Sequence, residues 1–273
     1  MVYKEKLLKL VSWLLVIVMI VYCILPLYIT VTTAFKNRIQ AFSMPPQWFF
    51  VPTLENFISI FHEHDIARYL MNSTIVVLGT ILVAMPIAVM AAYPLARVRS
   101  RTMAIMPIII VFAIIVPPIA YVIPLYDLFN RVGLFDTYIG LILVYVARTC
   151  PVAALIMMSA FEGVPKELDE AAFIDGCGRF STLFRVVLPA ASSGFISATL
   201  MVALITWNDF MIAFILSGPK TMTMPVSLSM FQTSEGIEWG NIAAAATTAA
   251  LPMIILCTIL FRYMERGLIV VKG

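Results

Sequence analysis

Charge is scarce in this chain: only 12% of its 273 residues are Asp, Glu, Lys or Arg, against 62% hydrophobic, and the mean hydropathy is +1.00. A surface so poor in charge could not be kept hydrated, which excludes a water-soluble domain and leaves a polytopic membrane protein. Cysteine is sparse too, and Cys23, Cys150, Cys177 and Cys257 show no paired spacing. Three of them sit in apolar runs, where they pack as small hydrophobes, so neither a disulfide nor a metal site is expected. The two histidines fall together in His62-Glu63-His64-Asp65. Their adjacent and alternate positions, with no further ligand types nearby, do not complete a metal set, and a hydrated loop is expected. No G-x-x-x-x-G-K-[ST] run cradles a nucleotide phosphate, and H-E-x-x-H and G-x-S-x-G are absent. The chain is therefore not expected to be an enzyme, and any energy it uses must come from elsewhere. Its net charge of +3 arises from bases scattered at segment ends without a basic block, so no nucleic acid is expected as a partner.

Long apolar runs are what the sequence does have. About 20 apolar residues are needed to cross a bilayer, and runs of that length cover 11–33, 70–96, 103–126, 137–161, 189–214 and 242–261. They lack the alternation of barrel strands, so all should be helices. The expected fold is an all-α membrane protein: one transmembrane domain, 1–273, of six helices with both termini cytoplasmic. Lys4, Lys6 and Lys9 ahead of the first run resemble a signal peptide, but the run is too long and no cleavage site closes it, so it reads as a retained span. With the N-terminus inside, cytoplasmic segments hold Lys4, Lys6, Lys9, Arg97, Arg99, Arg101, Lys166, Arg179, Arg185, Arg262, Arg266 and Lys272, and external ones only Lys36, Arg38, Arg68, Arg131 and Lys220. That positive-inside bias sets the orientation. Pro117, Pro118, Pro151, Pro189 and Pro252 predict kinked helices, and the run Ala243 to Ala250 predicts close helix approach.

Two ionisable residues lie within spans, Arg148 in the fourth and Asp209 in the fifth. A charge there should face protein or water. An ion pair that holds the bundle together is the first expectation. Contact with substrate is the second, since Trp207-Asn208-Asp209 offers a ring and polar groups suited to sugar hydroxyls. An anionic sugar at Arg148 is a further, subordinate reading. The polar cytoplasmic loop, 162–188, contains Pro165-Lys166-Glu167-Leu168-Asp169-Glu170-Ala171-Ala172-Phe173-Ile174-Asp175-Gly176. Acids in a first turn and a closing Asp-Gly predict a short helix, whose interspersed apolar residues require a cover.

Glu170-Ala171-Ala172, then Gly176, then Val186-Val187-Leu188-Pro189 fit the spacing E-A-A, three residues, G, nine residues, I-x-L-P, with valine for isoleucine. This loop resembles that of the permease subunits of binding-protein-dependent ABC importers. Nearly the whole chain is similar to the carbohydrate-uptake branch and the second permease of maltose systems: Asn72-Ser73, Ala92-Tyr93-Pro94-Leu95-Ala96-Arg97, Trp207-Asn208-Asp209-Phe210 and the terminal Lys272-Gly273 carry the likeness. Cys177-Gly178 departs from the small Ala-Ser pair common after the family glycine. The resemblance implies a type I importer bundle in a bacterial or archaeal cytoplasmic membrane, importing a sugar delivered by an extracytoplasmic binding protein. A second homologous permease and two ATPase subunits would complete it, with ATP and Mg2+ held by the ATPase and no cofactor by this chain. It also implies a coupling helix carrying Glu167, Glu170, Ala171, Ala172, Asp175 and Gly176, and a substrate path near Arg148, Trp207, Asn208 and Asp209. A self-sufficient ion-coupled transporter is the alternative, although the halves show no inverted repeat of hydropathy.

Overall fold

In a lipid core, backbone groups must bond within their own segment, and the computed structural model, which describes residues 2–45, 47–233 and 236–270, is built mainly of helices. In chain order these are α1 (Val2–Ala34), α2 (Arg38–Ala41), α3 (Glu55–His62), α4 (Ile66–Arg97), α5 (Arg101–Ile115), α6 (Pro118–Val132) and α7 (Tyr138–Glu162). There follow α8 (Glu167–Ile174), α9 (Arg179–Thr182), a π-helical turn (Leu183–Val187), α10 (Leu188–Ala190), α11 (Ser192–Trp207), α12 (Met211–Leu216), α13 (Met224–Ser227) and α14 (Trp239–Val270). A short antiparallel hairpin, β1 (Gln232–Thr233) with β2 (Gly236–Ile237), pairs Gln232 with Ile237 and Thr233 with Gly236.

Helices α1, α4, α7 and α14 are each long and apolar enough to cross a membrane. Two further spans arise if α5 with α6, and α9–α10 with α11, each count as one bent crossing. The expected helix 103–126 is thus broken, with α5 and α6 inclined at 77°. Pro117 and Pro118 supply no N–H to the helical ladder and force extended backbone before them, ψ being 119° at Val116 and 138° at Pro117. Pro118 then suits the first position of α6, where an N–H would have no partner. The expected helix 189–214 is also interrupted. An 86° bend at Ala191 precedes α11, and Asn208 to Phe210 separate α11 from α12.

By internal packing the chain forms two compact units, Met1–Ile66 with Leu228–Leu251, and Ala67–Ser227 with Pro252–Gly273. In the first, Asn56 Nδ2 donates to the carbonyls of Ala34 (2.9 Å) and Lys36 (2.7 Å), which the end of α1 leaves without helical donors. The Phe35 and Phe57 rings pack 5.0 Å apart beside it. The His64 ring lies 4.7 Å from that of Phe231, with Nε2 3.9 Å from the Glu238 carboxylate. Among the described residues no three His, Cys, Asp or Glu side chains gather to hold a metal.

The second unit is organised around α4, α7 and α11. Met85, Ala88, Val89 and Ala92 form one face of α4, and Ala153, Ala154, Met157 and Phe161 one face of α7. Spacings of three and four residues keep each set on a single side, and the alanines let the helices approach closely. Ala198 and Val202 of α11 close this core, and Tyr145 and Leu141 of α7 pack with Ile212 and Leu216 of α12 in a neighbouring one.

Candidate functional site

The segment with the Glu170-Ala171-Ala172 motif forms α8. Glu167, Asp169 and Glu170 occupy its first turn, where carboxylates meet the positive end of the helix dipole. Its end is set by Gly176, at φ +83°, a left-handed conformation that glycine adopts without a Cβ clash. The Cys177 N–H then reaches the Ala172 carbonyl at 2.9 Å, and the Gly176 N–H that of Phe173 at 3.1 Å, so the last carbonyls are satisfied as the chain reverses. Glu167, Glu170, Ala171 and Ile174, spaced by three and four residues, are all exposed on one face. Ala172 faces inward and is buried, while Asp175 and Gly176 stay exposed at the end of the helix.

One functional candidate escaped the sequence reading. Asp169, one of the acids in the first turn of α8, is only 6% exposed. Arg97, the last residue of α4, donates through Nε to its Oδ2 at 3.0 Å, with Nη2 2.9 Å from the same oxygen. Tyr93, one turn earlier, donates its hydroxyl to Oδ1 at 2.5 Å. The same guanidinium donates to the carbonyls of Phe161 (2.8 Å) and Val164 (3.1 Å) at the end of α7. A single side chain therefore joins the ends of α4 and α7 to α8. Tyr93 and Arg97 share a helix face, but no local signal ties Asp169 to them, since it lies 72 residues beyond Arg97.

A second cluster fixes the segment after α12. Asp136 accepts from the backbone N–H groups of Gly218 (2.9 Å), Lys220 (3.1 Å) and Thr221 (2.9 Å) and from the Thr221 hydroxyl (2.8 Å). Burial pushes its carboxyl pKa up, but these four donors outweigh burial and hold it below the ordinary value. Asn72 Nδ2 donates to the carbonyls of Lys220 (3.2 Å) and Met222 (2.8 Å), and Ser73 Oγ accepts from the Met224 N–H at 2.8 Å. Asn72-Ser73 thus owes its place to pinning this segment.

The two charges within the expected spans meet. Arg148 Nη1 donates to Asp209 Oδ2, while Asp209 Oδ1 accepts from the Ile212 N–H (2.8 Å) and the Tyr145 hydroxyl (3.2 Å). The break between α11 and α12 exposes that N–H and places the carboxylate beside it. Arg148 also lines a cavity of about 640 Å3 between α5, α6 and α7. Trp207 and Asn208 do not join them there. The Trp207 ring is buried against Val77, Ala203 and Met253, and the exposed Asn208 donates to the Leu204 carbonyl at 2.9 Å. Of the tail motif, Lys272 and Gly273 lie outside the described residues.

Helices of this kind define a class by fold: the chain superposes on one from a bacterial ABC transporter involved in the import of the acidic polysaccharide alginate, with a TM-score of 0.79, 18% identity, and coverage of 95% of this chain and 97% of that one. Residues 84–270 match the family described as binding-protein-dependent transport system inner membrane component, and the chain belongs to that family. It is 30% identical to the trehalose/maltose transport system permease protein MalG of Thermococcus litoralis, over 97% of each chain. It is 31% identical to the sulfoquinovosyl glycerol transport system permease protein SmoH of Agrobacterium fabrum, over 86% of this chain and 84% of that one. The family and the apolar helices make it a multi-pass protein of the inner membrane.

Proposed function

We propose that the chain is the non-catalytic permease subunit of an ATP-driven sugar importer in a bacterial or archaeal cytoplasmic membrane. Each bent pair is taken as one crossing, which is compatible with the helices long enough to span, and this gives six crossings, both termini in the cytoplasm and one permease domain over residues 1–273. A second homologous permease, two ATPase subunits that hold ATP and Mg2+, and an extracytoplasmic binding protein complete the assembly. Relatives that carry trehalose, maltose and sulfoquinovosyl glycerol support a sugar as cargo.

The observation that carries the proposal is the α8 latch. Glu167, Glu170, Ala171 and the 86%-exposed Ile174 form an outward face fit for an ATPase cleft, and Phe180 adds a second exposed apolar side chain nearby. The inward face is tied through Asp169 to Arg97. Force on α8 would reach the ends of α4 and α7 without deforming a loop, because the connection is a buried, multiply bonded guanidinium rather than flexible chain. Asp175 and Gly176 fix where the helix stops. Arg148 and Asp209 lie on the substrate path, while Trp207 shapes it from behind by packing α11 against its neighbours and Asn208 caps the end of α11.

Reconstitution into proteoliposomes with the second permease, the two ATPase subunits and the binding protein tests this. Sugar uptake should require ATP, and paired Glu170→Arg and Gly176→Lys substitutions should release the ATPase and stop uptake while the chain still inserts. Uptake by this chain alone, driven by an ion gradient, would overturn the proposal.

A further inference from the structure

The Arg148 cavity is walled by apolar side chains such as Ile114, Leu125, Val144 and Val152, and Arg148 and Tyr121 bring the polar groups to its lining. A volume of about 640 Å3 with few convergent polar groups suits a small-molecule site. The ion pair is asymmetric: the Arg148 side chain is 29% exposed and that of Asp209 6%. Asp209 is sealed by Tyr145 and the Ile212 N–H, whereas Arg148 uses one nitrogen on Asp209 and its other N–H groups have no partner among the described residues. A guanidinium carries five donors in a planar fork. The cavity therefore receives hydrogen-bond donors without net charge.

That combination discriminates between ligands. A carboxylate or sulfonate would have to take the fork from Asp209, stranding a buried acid, or add a second negative charge beside it; both outcomes leave an uncompensated negative charge at or beside Asp209, whose side chain is only 6% exposed. A hydroxyl oxygen accepts from the free N–H groups while the pair remains intact. We infer that this cavity is a binding site for an uncharged polyhydroxyl compound, with Arg148 donating to its hydroxyl oxygens and Asp209 cancelling the charge so that anionic sugars are refused. The inference rests on the sugar-import reading and narrows it to neutral sugars.

The test is equilibrium binding of radiolabelled trehalose and maltose, and of the mono-uronate of each, to the purified permease–ATPase complex without the binding protein. At least one neutral disaccharide should bind tenfold or more tighter than its uronate. Arg148→Gln should weaken neutral binding at least tenfold, and Asp209→Asn, which leaves the arginine uncompensated, should invert the preference. Arg148→Lys keeps the ion pair but loses the fork, so it should weaken binding several-fold with an unchanged melting temperature, separating loss of the site from loss of the fold. No binding to the wild-type complex, equal binding of both classes, or an unaltered preference in Asp209→Asn overturns the inference. ATP-driven sugar uptake by the same complex with binding protein present separates the two readings: uptake without this charge discrimination sinks only the inference, and no sugar uptake at all sinks both.

Discussion

Arg97 shows how much one side chain can connect. Its partner Asp169 and the residues Phe161 and Val164, whose carbonyls it bonds, are all largely shielded, the Arg97 and Asp169 side chains being 11% and 8% exposed. Removing one partner of such a buried pair strands the other, at a cost of about 3 to 5 kcal/mol. Arg97→Ala should therefore lower the melting temperature of the detergent-solubilised protein and, in the assembled transporter, reduce sugar moved per ATP hydrolysed. Tyr93→Phe removes one hydrogen bond to a charged group, about 1.5 to 3 kcal/mol, and should have the same direction with a smaller size. A double-mutant cycle on Arg97 and Asp169 should return a coupling energy well above the few tenths of a kcal/mol seen for independent sites. Asp136 adds a pH signature of its own. Its pKa lies below the ordinary value in the folded protein, so the unfolded chain takes up its proton first as pH falls. The stabilisation it provides is full above the unfolded carboxylate pKa of about 3.9 and is lost as pH falls through the lower folded value. Thermal melts between pH 7 and pH 3 should show a steeper acid-side loss for wild type than for Asp136→Asn. Nearby, a Cβ on Gly218 would stand 2.7 Å from Asp136 Oδ2, so Gly218→Ala should destabilise even at neutral pH.

At the scale of elements, α8 depends on its stop. A residue with a Cβ in the left-handed region costs about 1 to 2 kcal/mol, so Gly176→Ala should fray the last turn and weaken co-purification of the ATPase, while Gly176→Asn, which tolerates that region better, should retain more of it. The position of this helix was readable because its signals are local: acids at one end, glycine at the other, and a fixed spacing to Pro189. The four long apolar helices α1, α4, α7 and α14 were readable for the same reason, since length and hydropathy belong to contiguous residues. Asp169 was not, because its burial depends on Arg97, 72 residues away, and nothing local separates a buried acid from its solvated neighbours. Trp207-Asn208-Asp209 misled in a related way. Adjacent residues at a helix end point in different directions, so chemistry that suits a sugar in sequence order is divided between a core, an exposed cap and an ion pair. The 77° break at Pro117 was signalled by the paired prolines, but its size depends on what α6 packs against.

Across the whole molecule, the exposed apolar surface decides the setting. Trp13, Leu14, Ile17 and Met19 on α1 are all at least half exposed, and lipid is the cover that makes such a helix stable. Whether the two bent pairs each cross the membrane then fixes the side on which every loop lies. If each pair is one crossing, the α4–α5 junction and the α8–α9 segment share the cytoplasmic side, and the segments after α6 and α12 lie outside. If the α5/α6 pair were re-entrant, Arg99 and Arg131 would lie on the same side. Single-cysteine labelling with a membrane-impermeant thiol reagent distinguishes these arrangements, in a background where Cys23, Cys150, Cys177 and Cys257 are replaced by alanine or serine. Cysteines at Arg99 and Arg185 should react only in inside-out vesicles, and those at Arg131 and Lys220 only in right-side-out ones. Reaction of Arg99→Cys and Arg131→Cys from the same face would remove one crossing and with it the shared side of both termini. The proposed coupling role requires α8 to reach a cytoplasmic ATPase while Asp136 and Lys220 sit at the far ends of α7 and α12, so the opposite labelling of Arg185 and Lys220 is the outcome on which that role depends.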